Sequence, residues 1–114
     1  MRVIDLAATA AELPQVWTSD QVARVGTGEI RVLRMDGGEL PWEVHEMDEA
    51  LMVVTGRINL ELAGREVPVA AGQLMVVPAG TDHRVAAGSW GTLVLLPAAP
   101  VTMAPDPGRT TETP

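Results

Sequence analysis

The chain of 114 residues contains no cysteine, no lysine, no phenylalanine and no tyrosine. Without thiols it can form no disulfide and offers no thiolate ligand or nucleophile. Without lysine it has no side-chain amine for Schiff-base chemistry. Its eight cationic residues are all arginines, scattered among fifteen acids, and the net charge is −7. Nucleic-acid binding needs clustered cations to displace counterions from phosphates, so nucleic acid is not an expected partner. No apolar run approaches the ~20 residues of a membrane-spanning helix, so a membrane is not expected either. Residues 1–13 carry one arginine and two acids without a long apolar stretch, which does not read as a signal peptide. A cytoplasmic location is the expectation.

What is present is a single-domain quantity of apolar residues, 46% of the chain, punctuated by glycine and proline at short intervals. Many short Val-, Leu-, Ile- and Met-rich segments between turn signals predict an all-β sandwich or barrel. Strands are expected over Ile30 to Met35, Ala50 to Thr55, Arg57 to Leu62, Arg65 to Val69, Gln73 to Val77 and Thr92 to Leu96. Ala50 to Thr55 is nearly all apolar and reads as buried on both faces. Arg57 to Leu62 alternates, with Ile58, Leu60 and Leu62 on one face and Asn59 and Glu61 on the other. Ala63-Gly64 predicts a hairpin turn. Ala7 to Leu13 favours a turn or two of helix before Pro14. Residues 98–114, rich in Pro, Thr and Ala, predict an extended or disordered tail.

The only two histidines fall in two spaced motifs. The first runs Gly37, five residues, Glu43, one residue, His45, three residues, Glu49, six residues, Gly56. The second runs Gly72, five residues, Pro78, one residue, Gly80, two residues, His83. From composition, the second pattern alone recurs by accident in on the order of one chain in a thousand. In an extended segment Glu43 and His45 point to the same face, being two apart. Spacing alone does not orient Glu49 or bring His83 to them. The four glycines read as turn positions needing positive φ or close approach of strands.

These motifs resemble the two signatures of the cupin superfamily over residues 24 to 97, in the manner of its compact, stand-alone members. The resemblance implies a double-stranded β-helix, or jelly-roll, barrel over residues 1–97, with residues 1–23 as an N-terminal extension. It also implies that Glu43, His45, Glu49 and His83 converge inside the barrel on one divalent metal. Two departures stand out. The first motif usually has His where this chain has Glu43, and the second usually ends with Asn where this chain has Ala87. Glu43 either replaces histidine as a true ligand or marks a barrel without metal, paired with an arginine or facing water. Two imidazoles and two carboxylates suit Mn, Fe, Co, Ni or Zn.

Around such a site, Trp42 is expected to point away and pack in the core. Met35, Met47 and Met52 are expected to make the cavity apolar. Arg31 and Arg34, three apart, face opposite ways on a strand. A solvated place on an outer face is the expectation for them, the alternative being one inward Arg that binds a carboxylate or phosphate. Such relatives are often homodimers with N-terminal strands at the interface, a role that Val16-Trp17 would suit. Two functions follow: a metal-dependent enzyme of dioxygenase, isomerase or lyase type acting on a small oxygenated molecule, or a non-enzymatic cupin that binds or senses a small molecule without metal.

Overall fold

The computed structural model describes residues 1–98; the expected tail lies outside them except for Ala98. One short helix, α1 (Leu6–Ala11), precedes seven strands: β1 (Asp20–Val25), β2 (Gly28–Asp36), β3 (Glu49–Leu62), β4 (Arg65–Ala70), β5 (Leu74–Val77), β6 (Arg84–Val85) and β7 (Trp90–Pro97). All pairings are antiparallel, in the order β1-β2-β7-β3-β4, with β5 and β6 also pairing β3. No helix among the described residues is long and apolar enough to cross a membrane. The all-β barrel architecture expected from the motifs is what the chain adopts.

Strand β3 organises the barrel. The sequence pattern predicts two strands parted by Gly56; the structure joins them into one of fourteen residues. Its first half pairs β5 and β7, its second half β4 and β6. The β3–β7 register shifts between Val53 and Thr55. A bulge there changes the parity of the strand. Before it Leu51 and Val53 face the core; after it Ile58 and Leu60 do. One continuous strand therefore keeps its apolar residues inward while crossing from one wall of the barrel to the other.

The core inside the barrel comprises Leu33, Met35, Leu51, Val53, Ile58, Leu60, Val69, Val77, Val85 and Leu93. A second cluster, Ala10, Val32 and Val94, lies beneath α1, with Met52 and Val54 packed at its margin. The first half of β3 is thus covered on one face by the barrel and partly covered on the other, as its unbroken apolar run anticipates. The helix starts where the Asp5 carboxylate caps the Ala8 amide at 2.9 Å.

All four motif glycines have positive φ. At Gly56 a second constraint applies: a Cβ would stand 2.0 Å from the Trp90 carbonyl oxygen, because β3 and β7 approach closely where Gly56 faces Gly91.

Candidate metal centre

The segment from Leu40 to His45 runs beside residues 80–85 as an irregular antiparallel ribbon. Leu40 N–H donates to Val85 O at 3.0 Å, and Gly80 N–H to His45 O at 2.8 Å. Between them, Glu43 and His83 exchange both backbone hydrogen bonds, at 2.8 and 3.0 Å. Directly opposed residues of an antiparallel pair project to the same face. This bridge brings His83 to Glu43, and His45 joins them because it lies two residues along an extended segment.

The result is a compact cluster. Glu43 Oε1 lies 3.4 Å from His45 Nε2 and 3.6 Å from His83 Nε2, and the two imidazole centroids are 5.2 Å apart. One ligand atom from each of Glu43, His45 and His83 lies within 4.8 Å of the other two. Glu49 Oε1 approaches His45 Nε2 to 3.9 Å from the start of β3. It stands beside the three-residue group rather than within it. Side-chain exposure rises from 3% at His83 through 20% at Glu49 and 40% at His45 to 50% at Glu43, so the cluster has a buried end and an open one.

Backbone contacts orient the histidine at the buried end. His83 Nδ1 lies 2.9 Å from Thr81 O, which can only accept. Nδ1 therefore carries a proton and donates to Thr81 O, and Nε2 is the ring nitrogen that faces Glu43. Burial pushes the Glu49 carboxyl above the usual carboxylate range, and the neighbouring Glu43 adds to the rise. The two histidines oppose the shift without cancelling it. Asp48 braces the same corner: its side chain accepts the Ala79 N–H at 2.8 Å and its carbonyl accepts the Ala98 N–H at 3.0 Å. Where the second motif has Ala87 in place of asparagine, the side-chain amide of buried Asn59 reaches the Ala87 carbonyl at 3.3 Å.

The cluster opens onto a cavity of about 200 Å3 inside the barrel. Leu33, Leu51, Leu60, Val85, Leu93 and Leu95 contribute to its wall, together with Trp17 and Ser19 from the segment before β1. A wider hollow of about 370 Å3 lies on the other side of residues 44–49 and shares His45 and Glu49.

Several expectations change here. The apolar lining comes from leucine and valine rather than methionine: Met35 is buried in the core, Met52 faces the outer cluster, and Met47 lines only the outer hollow. Trp42 does point away from the site, but it is half-exposed beneath the Arg84 guanidinium (5.8 Å to its centroid), not in the core. In keeping with the outward reading, neither Arg31 nor Arg34 lines the cavity. Arg31 is held by Ser19 and Glu29, and Arg34 by the Leu13 carbonyl. Trp17 packs against its own barrel at φ +62, its indole N–H donating to Asp36 Oδ1 at 2.7 Å. The sequence carries no signal for Trp17 and Ser19 as wall residues, because they are reached only when the N-terminal segment folds across the barrel.

The cupin-domain family profile matches residues 31–98, more than half of the chain. Among solved structures, a cupin-2 domain protein from Shewanella frigidimarina superposes with a TM-score of 0.76 at 21% identity, over 82% of this chain and 92% of that one. A protein from Neisseria meningitidis gives 0.74 at 23% identity, over 86% and 100%. A protein of unknown function from Streptococcus pyogenes gives 0.73 at 24%, over 89% and 90%. At these identities the likeness concerns the fold. None of the curated proteins is significantly similar to this chain. By its motifs, its barrel and the profile match, the chain belongs to the cupin family.

Proposed function

We propose that this cupin binds one divalent transition metal (Mn, Fe, Co, Ni or Zn) through His83, His45 and Glu43, with Glu49 completing the set, and uses it to hold a small oxygenated molecule in the adjoining cavity. The observation that carries this reading is the convergence of one nitrogen from each of two imidazoles and a carboxylate oxygen within 4.8 Å of one another. The donor chemistry fits: two carboxylates offset a divalent charge, and the Thr81 carbonyl presets the His83 tautomer for coordination at Nε2. A bound ion would supply Lewis acidity and, where redox-active, electrons for dioxygenase, isomerase or lyase chemistry. The chain itself supplies a partly buried, mostly aliphatic chamber that limits water around a bound molecule.

A second reading has its own support. Glu43 lies within 3.6 Å of both imidazoles, so protonated histidine could satisfy the cluster as an ion-pair network in a metal-free binder. Metal analysis of the untagged protein beside His83→Ala and His45→Ala decides between them. The metal reading expects near-stoichiometric metal in the wild type and at least about a hundredfold weaker binding in each variant. His45, more exposed than His83, guards against simple misfolding, which thermal melts report. Wild-type protein that takes up none of the five metals on incubation refutes the metal reading. The homodimer implied by the family resemblance remains a proposal that sedimentation velocity decides.

A further inference from the structure

The cavity wall restricts what can be held there. Apart from Glu43, His45, Glu49 and His83, the lining offers one hydroxyl, that of Ser19, and one indole, that of Trp17; everything else is leucine or valine. The indole N–H is already committed to Asp36, and no arginine lines the space. Behind Ser19, the Arg31 guanidinium donates to both Ser19 oxygens and lies 3.7 Å from Glu29, so its charge is engaged. A phosphate, a second carboxylate or a set of sugar hydroxyls would lose water here without gaining partners, and buried polar groups without partners are strongly disfavoured. Size restricts the ligand further. An apolar cavity of ~150 Å3 accommodates benzene, so about 200 Å3 admits a body only modestly larger.

We propose that the chamber selects a small monoanion with an adjacent pair of oxygens at one end and an uncharged hydrocarbon body at the other, the chemistry of branched-chain or aromatic 2-oxo and 2-hydroxy acids. This rests on the metal reading above, because Glu43 and Glu49 would repel the anionic end unless a cation lay between. The Trp17 ring forms part of the wall and limits the length of the body. Its left-handed backbone, an unusual conformation for a bulky residue, turns it against the barrel, and its bond to Asp36 holds it there.

The test titrates cobalt(II)-loaded and metal-free protein with 4-methyl-2-oxopentanoate and with 2-oxoglutarate. The two share a chelating end and are close in size, but only the second has a charged tail. Binding is read calorimetrically and from the cobalt absorption spectrum. The expected result is that the branched acid binds the cobalt form, perturbs its spectrum and does not bind the metal-free protein, while 2-oxoglutarate binds at least roughly a hundredfold more weakly. Trp17→Gly, which suits the positive φ, should leave cobalt affinity unchanged, weaken the branched acid about tenfold and admit a longer chain. Trp17→Phe should restore the wild-type preference. Equal or tighter binding of 2-oxoglutarate, or no binding of the branched acid to a cobalt-loaded protein, overturns the inference and leaves the metal site standing. If cobalt itself does not bind, the metal reading falls and this inference falls with it.

Discussion

Gly56 and Gly72 each stand in a motif and each has positive φ, 79° and 85°, yet the structure assigns them different reasons to be glycine. At Gly72 a Cβ would meet nothing within 4 Å. At Gly56 it would lie 2.0 Å from the Trp90 carbonyl oxygen and 3.0 Å from the Gly91 Cα, both backbone atoms on the neighbouring strand. Alanine at Gly72 therefore suffers only the left-handed backbone penalty, about 1–2 kcal/mol. Alanine at Gly56 suffers the same penalty and must also push β7 away from β3, an overpacking cost of about 1–3 kcal/mol or more. The sum, about 2–5 kcal/mol, is a large share of the ~5–15 kcal/mol that holds a domain together. Urea unfolding of both variants with a common m-value measures the difference. Gly72→Ala should fold with a modest loss, whereas Gly56→Ala should lose clearly more or fail to fold. Equal losses would refute the argument that close approach of β3 and β7, beyond φ, requires glycine at Gly56.

Other expected outcomes concern the site and its surroundings. Glu43→His should retain metal, because it restores the family's usual donor at a position whose carboxylate already faces both imidazoles, whereas Glu43→Gln should weaken binding by roughly ten- to a hundredfold in a metal titration. Glu49 has a carboxyl raised by burial, so its ionised form is the less stable one in the folded protein. That destabilisation sets in as pH rises past the unfolded value and is complete above the folded one. Glu49→Gln should therefore stabilise the metal-free protein in melts at neutral pH and have little effect in acid, while weakening metal uptake. Asp36 shows the opposite sign. The Trp17 indole, and then the Gly38 amide, hold its carboxyl below the usual range. Its contribution is present above the unfolded pKa and is lost as pH falls through the lowered folded value, so Asp36→Asn should flatten that part of the acid limb of a stability–pH curve.

Much of the architecture was legible in the chain. The resemblance of its two motifs to a known family implied the barrel. Beyond that, the alternation of Ile58, Leu60 and Leu62 gave an inward face, and the two-residue step from Glu43 to His45 placed both on one side of an extended segment. These are local properties, set by the period of a strand and the conformations open to glycine. The misreadings arose where local pattern competes with closure. Gly56 looked like a strand boundary, yet β3 runs on through it, its parity already changed by the bulge between Val53 and Thr55. The methionines looked like cavity lining, yet which apolar residue faces the cavity depends on register across the sheet.

The sequence alone therefore determined the family, the motif residues and the absence of thiol and lysine chemistry, because those follow from residue identity and spacing along one chain. Only the tertiary structure decided that His83 meets Glu43 through a backbone bridge, that Glu49 is desolvated, and that Trp17 and Ser19 close the wall. Each of these depends on segments distant in sequence being brought together, and that geometry exists only once the barrel has closed.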